Sequence, residues 1–435
     1  MMEMKRYKLS EIATVEISGV DKKRKENETP VKLCNFTDVY HNWAITKDLE
    51  DSFMDATASE KEIKTFSLKK GQVAFTKDSE TRDDIGIPTY IADNFENVLL
   101  GYHTALITPD KTKLNGKYLN AFMNSKYIQK YFENNASGSG QRYTLSNDTL
   151  NSIPIIIPNL TKQKVVGNFF SNIDKKIALN KKINAKLEAM VKRLYDYWFV
   201  QFDFPNGEGK PYKSSGGKME YNATLKRDIP AGWEVKRLGE VLCKIDSGKR
   251  PAGGIDKKLK TGIPSLGAEC IDSLGVFDFL STPFISETYR NIMTSGKIEN
   301  NDILIYKDGA YVGKTTLFRD NFPYKEAFVN EHVFLVHAKE HTFEEYLYFT
   351  LSNPTYFQIM QNLGKAKAAQ PGLNRDDLQN ILIIIPSKGI LTNFHCIIEP
   401  LFAEIFSNAK CIGKLLQMRD RLLPLLMNGQ VEAEG

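Results

Sequence analysis

LSNDTLNSIPIIIP, residues 145–158, returns 228 positions later as LNRDDLQNILIIIP, residues 373–386. Each copy ends in a short run of isoleucines closed by proline, which is typical of a buried strand. A single match of this length could arise by chance. A duplicated domain would determine the fold, and it predicts further matches along the chain at the same offset.

Three more pairs of segments match at nearly the same offset. Residues 7–15 (YKLSEIATV) align with 236–244 (KRLGEVLCK), and 69–78 (KKGQVAFTKD) align with 299–308 (ENNDILIYKD). The third pair joins YHTALI, which begins at Tyr102, with EHVFLV, which begins at Glu331. Four collinear matches predict two homologous halves, and the small drift in offset is the effect of loop insertions.

Both halves follow one plan. Short runs of β-branched and aromatic residues come first, then a helical patch, a polar loop and the closing strand. The predicted fold class is therefore α+β, with two homologous mixed α/β domains.

A long amphipathic helix follows the closing strand in each half. Its apolar positions recur at alternating steps of four and three, the seam of a coiled coil. The first-half seam positions are Val166, Phe170, Ile173, Ile177, Asn180, Asn184, Leu187, Val191, Leu194 and Trp198. The second-half positions are Phe394, Ile398, Leu401, Ile405, Asn408, Ile412, Leu415, Arg419, Leu422 and Leu426. The pattern favours helix-on-helix pairing over packing of each helix on its own domain.

The order domain, helix, domain, helix then predicts an arrangement. Residues 201–233 are rich in Gly, Pro, Ser and Lys and are expected to connect the halves. If the first helix leads away from the first domain, the second must run back. We therefore expect an antiparallel two-helix coiled coil about 50 Å long that separates the domains with pseudo-two-fold symmetry. Near the axis, Asn184 should face Asn408, because paired amides in a seam fix its register.

The sequence resembles the specificity (S) subunits of type I restriction–modification systems. The motifs that carry the resemblance are NKKINAKLEAMVKRLYDYWFVQFDFP (180–205), GKPYKSSGGKM (209–219), IPAGWEVKRLGEV (229–241) and LLQMRDRLLPLLMNGQV (415–431). One departure is that the first half begins at YKLSEI without the Pro-x-Gly-Trp lead-in of residues 230–233, so its N-terminal edge is expected to differ.

The resemblance implies a division of the chain and a set of partners. The implied parts are a first target recognition domain (1–160), a first conserved helix (161–200), a connector (201–228), a second recognition domain (229–388) and a second conserved helix (389–431). Each recognition domain would read one part of a bipartite double-stranded DNA sequence. The partners would be two methyltransferase subunits and two restriction/translocase subunits. S-adenosylmethionine, ATP and Mg²⁺ would be bound by those partners, and no cofactor by this chain.

Composition and motifs agree with a non-catalytic role. The 435 residues carry a net charge of +5, which permits an acidic partner without requiring one. The five cysteines are unevenly spaced and the six histidines form no metal-ligand pattern, so reduced thiols and no metal site are expected. The nearest match to an adenine-methyltransferase motif, NPTY at 353–356, has Thr in place of the second Pro and no glycine-rich cofactor loop before it. No signal peptide or run of about 18 apolar residues is evident, which predicts a cytoplasmic chain without a membrane span.

DNA recognition needs Lys and Arg for phosphates, and Arg, Lys, Asn and Gln for base edges. Loops of this character lie at equivalent places in both halves. The candidates are Lys77, Arg82, Gln141, Arg142 and Tyr143 in the first half, and Lys307, Lys314, Thr315, Lys365, Lys367 and Gln370 in the second. The sequence does not separate base contacts from phosphate contacts.

Two rival functions stay open. Gly309 to Thr315 resembles a nucleotide-binding P-loop that is one residue short, but the following TTLFRDNFP is β-rich rather than helical. Its first-half counterpart keeps Lys-Asp and Gly86 without Gly-Lys-Thr, which favours a recognition loop. The other rival is a stand-alone DNA-binding regulator with the same fold.

Overall fold

The computed structural model describes residues 4–251, 259, 261–279, 281–340, 343–365 and 372–431. The chain divides into two compact units. The first comprises Met1–Ala178 together with Leu415–Gly435, and the second comprises Leu179–Lys414. Each unit therefore contains one domain of the repeat and a segment of both long helices.

The first unit contains two main sheets. Its strands are β1 (Lys5–Lys8), β2 (Ala13–Ile17), β3 (Thr29–Cys34), β4 (Ala44–Ile45), β5 (Met54–Ala58), β6 (Val73–Thr76), β7 (Asp78–Ser79), β8 (Pro88–Ile91), β9 (Val98–Leu100), β10 (Thr104–Pro109), β11 (Ser137–Ser139), β12 (Arg142–Thr144) and β13 (Pro154–Ile157). Its helices are α1 (Phe36–His41), α2 (Glu60–Phe66), α3 (Gly116–Met123), α4 (Lys126–Asn135), α5 (Asn147–Asn151) and the start of α6 (Leu160–Tyr195). The larger sheet has the order β2-β10-β6-β8-β4, beside the smaller sheet β5-β3-β9.

The second unit repeats this arrangement. Its strands are β14 (Met219–Asn222), β15 (Arg227–Pro230), β16 (Glu234–Arg237), β17 (Leu242–Ser247), β18 (Ile263–Leu266), β19 (Phe284–Ile285), β20 (Ile303–Tyr306), β21 (Thr315–Leu317), β22 (Phe328–Val329), β23 (Val333–Ala338) and β24 (Leu382–Ile385). Its helices are α7 (Leu238–Val241), α8 (Glu287–Ile292), α9 (Glu344–Ser352), α10 (Pro354–Lys365), α11 (Arg375–Gln379) and most of α12 (Lys388–Met427). The larger sheet has the order β17-β23-β20-β21, and the smaller has β19-β18-β22.

Strand register confirms the duplication. In the first unit β1 pairs with β13 so that Lys5 opposes Ile157, and in the second β16 pairs with β24 so that Glu234 opposes Ile385. The central strands pair antiparallel in both units. The smaller sheets each combine one antiparallel and one parallel pair. The fold is therefore α+β with two homologous domains. In the first domain β1 forms the same closing pair without the lead-in, whereas in the second domain Trp233 of the lead-in packs against the connector.

The two long helices run antiparallel inside the second unit. Asn184 of α6 donates from Nδ2 to the carbonyl oxygen of Ile405 in α12 at 2.9 Å. Eleven residues further along α6, the Tyr195 ring lies 6.5 Å from the ring of Phe394, which is eleven residues earlier in α12. Residue numbers along these contacts rise in α6 and fall in α12, so the two helices are antiparallel.

The expected pairing of Asn184 with Asn408 was wrong. The Asn184 amide hydrogen bonds to a backbone carbonyl of α12, and Asn408 donates to Glu404 within its own helix at 3.0 Å. The register places Ile405 opposite Asn184, nearly one turn before Asn408. A side-chain amide can satisfy a backbone carbonyl as well as another amide, so the heptad pattern alone does not identify the partner.

Helix α12 buries more of its surface than the predicted coiled-coil seam. Ile398, Ile405 and Ile412 are buried as the seam predicts, but Phe402 and Phe406 are fully buried as well. The domain of the second unit packs on this additional face. Helix α12 is long and apolar enough to span a membrane by length and composition alone, which is weak evidence because core helices of soluble proteins pass the same test.

The segment between the halves is more structured than its composition indicates. Phe202 and Phe204 are buried and pack against the Trp233 ring, with ring centroids 5.6 and 5.1 Å away. Strands β14 and β15 form an antiparallel hairpin. These aromatic contacts tie the segment to the second unit.

Candidate nucleic-acid interface

In the first unit, two of the predicted loops meet at the end of strand β6. Lys77 and Asp78 follow that strand, and β7 pairs with β12 so that Asp78 opposes Thr144. The loop containing Lys77 and Arg82 is thereby joined to the loop containing Arg142. The pairing is non-local and was not evident from either loop alone.

Asp78 is the centre of this site. Its carboxylate accepts hydrogen bonds from Lys77 Nζ at 2.9 Å and from Arg142 Nη2 at 3.0 Å, and it lies 2.6 Å from His103 Nδ1. Burial alone would raise the pKa of the Asp78 carboxyl, but hydrogen bonds from Thr144, Lys77 and His103 outweigh that effect and hold the pKa at about 2. The carboxylate is therefore charged at neutral pH and positions the cations around it.

The predicted side chains of the first unit differ in accessibility. The Lys77 ammonium also donates to Thr144 at 2.7 Å, and only 16% of its side chain is exposed. Arg142 is 55% exposed. Exposed Arg82 lies over the Tyr143 ring at 5.0 Å, and Gln141 is exposed. Of these predicted side chains, Lys77 and Arg142 line an open cavity of about 480 Å³ together with Asp78 and His103.

The second unit has a corresponding site. Asp308 bridges to Gly372, as Asp78 pairs with Thr144, and Leu373 donates to the Lys307 carbonyl at 2.7 Å. His332 Nδ1 lies 2.9 Å from the Asp308 carboxylate. Lys307 donates to Ser247 at 3.3 Å and its ammonium lies 4.8 Å from the centroid of a phenylalanine ring. We call the two groups the Lys–Asp–His clusters: Lys77, Asp78 and His103 in the first unit, and Lys307, Asp308 and His332 in the second.

Sequence reasoning missed the histidines and acids of these clusters. The signal was present in the repeat, since the matched segments place His103 against His332 and Asp78 against Asp308. Arg250 was missed too. Its Nε lies 2.8 Å from Glu331, and its Nη2 lies 3.2 Å from His332 Nε2. Arg250 has no arginine at the matching first-half position, so the repeat could not identify it.

The other second-half candidates differ in their surroundings. Lys314 forms an ion pair of 3.7 Å with Asp272 and lines a separate cavity of about 220 Å³ beside α6. The Thr315 side chain is buried, so in this structure it is not accessible to a duplex. Lys365 is exposed at the end of α10, whereas Lys367 and Gln370 lie outside the described residues.

The glycine-lysine motif has a structural explanation. Gly313 has a φ of +90°, and a Cβ at this position would lie 2.9 Å from the Cβ of Met360. Gly86 is the equivalent residue of the first unit, just before β8. It has a φ of +80°, and a Cβ at this position would clash with the Phe132 ring. The residue after Lys314 begins strand β21 rather than a helix. The motif therefore lacks the helix N-terminus that a P-loop provides for phosphates, and the glycine serves the turn.

Two further groups of residues resemble a catalytic motif and a metal site. Asn353 accepts a hydrogen bond from the backbone N–H of Thr355 at 3.0 Å, just before α10 begins at Pro354, so the NPTY stretch caps a helix. Glu345, His395 and Glu399 have a spacing suitable for a metal ion. The guanidinium of Arg319 donates to both carboxylates, with 2.6 Å to Glu345, and we therefore assign this group as an ion-pair network.

Three known proteins are similar to this chain over most of its length. The chain is 27% identical over 407 residues to the specificity subunit of the type I restriction enzyme MjaIX of Methanocaldococcus jannaschii, covering 90% of this chain and 87% of that one. It is 23% identical to the HindI specificity subunit of Haemophilus influenzae, covering 84% and 87%. The fold is similar to the S subunit of a type I restriction–modification system from M. genitalium, with a TM-score of 0.54, 16% identity and coverage of 98% and 96%.

The model of one family matches both halves. Residues 1–189 and 230–405 match the type I restriction modification DNA specificity domain. These two ranges contain both Lys–Asp–His clusters, most of α6 and the first part of α12. The chain therefore belongs to the family of type I restriction–modification DNA specificity domains, with one copy of the domain in each half.

Proposed function

We propose that this chain is the non-catalytic DNA-recognition subunit of a type I restriction–modification complex, in which each domain reads one part of a bipartite target. The observation that carries the proposal is the repetition of the Lys–Asp–His cluster at the same strand end in both units. A duplicated recognition surface is suited to two separate stretches of sequence. The different loops around each cluster are suited to two different half-sequences.

The boundaries predicted from the sequence remain part of this proposal. Residues 1–160 and 229–388 would be the recognition domains, and residues 161–200 and 389–431 would form the spacer that docks two methyltransferase subunits. Exposed apolar side chains at Met190, Tyr197 and Ile397 support a role for these helices in docking. Two restriction/translocase subunits would complete the cytoplasmic complex. The partners would supply S-adenosylmethionine, ATP and Mg²⁺.

Co-expression with a type I methyltransferase subunit from the same host tests this function. We expect a stable complex that protects two short DNA segments separated by an unprotected gap in a hydroxyl-radical footprint. Salt should weaken the binding, because phosphate contacts release counterions. Binding to DNA without association to a methyltransferase would instead identify a stand-alone regulator, and a single continuous footprint would contradict bipartite reading.

A further inference from the structure

The two Lys–Asp–His clusters are alike, but each holds an arginine from a different part of the chain. Arg142 comes from β12, on the loop that follows the helical patch. Arg250 comes from the segment after β17, near the start of its domain. The repeat aligns Arg142 with Gln370 and Arg250 with Asp21, so neither arginine has a counterpart in the other half.

In the first unit Lys77 is engaged in hydrogen bonds within the domain, whereas Arg142 is exposed to solvent. The Lys77 ammonium is held by Asp78 and Thr144 and is mostly buried. Arg142 binds the same carboxylate through Nη2 alone and lies against the His103 ring, with 3.0 Å to Nε2. Among the described residues, its hydrogen bonds use only this nitrogen, which leaves Nε and Nη1 for a ligand. A guanidinium has five N–H donors in a rigid planar arrangement.

In the second unit the arrangement is similar, although the partners differ. Arg250 is held at Nε by Glu331 and at Nη2 by His332, and 49% of its side chain is exposed. The His332 ring is itself oriented by Asp308. Nη1 makes no hydrogen bond with a described residue. Lys307 is again held within the domain, by Ser247.

We propose that Arg142 and Arg250 read guanine bases in the major groove, one in each part of the target, and that the Lys–Asp–His clusters position them. This inference rests on the proposed function and names its specificity-determining residues. Guanine presents two adjacent acceptors, O6 and N7, which match two N–H donors of one guanidinium. An arginine already held by a carboxylate, as Arg142 is by Asp78 and Arg250 by Glu331, approaches a base with little loss of side-chain entropy. A shared cluster with arginines from different loops gives each domain its own position for a guanine.

The test is methylome sequencing of a host that expresses the complete complex with Arg142→Ala, Arg142→Lys, Arg250→Ala or Arg250→Lys. Each variant should reduce the preference for guanine at one position of one half-sequence by about 10- to 100-fold, with the other half-sequence unchanged. The lysine variants keep the charge but lose the planar pair of donors, so they should relax the same position. Arg24→Ala and Arg290→Ala, at arginines of the first and second units that form ion pairs outside the clusters, should leave the motif unchanged.

The outcomes separate this inference from the proposed function. A wild-type complex that directs no methylation would contradict the proposed function. A wild-type two-part motif that remains unchanged in the Arg142 and Arg250 variants would overturn the inference alone. A uniform fall in methylation without relaxation of any position, from a variant that still co-purifies with its methyltransferase, would identify a phosphate contact and would also overturn it.

Discussion

Replacing Asp78 with asparagine should destabilise the first unit in a manner that depends on pH. The ordinary pKa of this carboxyl is 3.8, and its surroundings lower it to about 2. At 1.36 kcal/mol per pKa unit, the lowered pKa corresponds to about 2 kcal/mol of stability at neutral pH. Because the pKa is depressed in the folded state, this stability is complete above the unfolded value and is lost as pH falls through the folded value. About half should remain at pH 3.

Urea unfolding followed by hydrogen-exchange mass spectrometry measures this effect within the first unit, since a chain of two units need not unfold in one step. Asp78→Asn should lower the free energy of unfolding by about 2 kcal/mol at pH 7 and by about 1 kcal/mol at pH 3. Glu133→Gln is a matched control, because Glu133 forms an exposed ion pair with Lys130, and such pairs contribute little. Equal stability of Asp78→Asn and the control at pH 7, or a difference that does not shrink at pH 3, would refute the assignment of Asp78 as the charged centre of the cluster.

Three further perturbations test other parts of the structure. Gly313→Ala should lower stability by about 1–3 kcal/mol in thermal unfolding because of its positive φ and the nearby Met360, whereas Gly389→Ala, with open space around it in α12, should not lower it; equal effects would contradict the turn assignment. Arg319→Met should cost about 3–5 kcal/mol because it removes the guanidinium that pairs with the buried Glu345 carboxylate, and Arg290→Met, in a more exposed pair, should cost less than about 1 kcal/mol; similar urea midpoints would exclude the buried network. Deleting one heptad from each long helix removes about 10 Å and should change the target gap by about three base pairs without altering either half-sequence; an unchanged gap in the methylome would show that the helices do not set it.

The fold was largely predictable because the repeat supplied long-range information. Matching segments such as IPIIIP and ILIIIP identified equivalent strands, and the heptad pattern identified both helices. The detailed pairing across the seam was not predictable. The bond from Asn184 goes to the Ile405 backbone, and a side-chain pattern contains no information about backbone acceptors. The connector was underestimated because composition masked the contribution of two buried phenylalanines.

The candidate site was predicted only in part. Lys77 and Arg142 were identified from charge, but their shared partner Asp78 was not, because the contact joins residues 64 positions apart. Thr315 was predicted as a DNA contact because it follows Lys314 in the glycine-lysine loop, but strand alternation places its side chain inside. Arg250 reaches His332 across 82 positions of sequence, and no local pattern indicates such a contact.

The most direct test of the central claim is methylome sequencing of the host with and without this gene. The account predicts an adenine-methylation motif of two short defined parts separated by several undefined base pairs, present with the gene and absent without it. A motif with one continuous element, or a methylome that does not change when the gene is removed, would contradict the claim that this chain directs recognition through two domains.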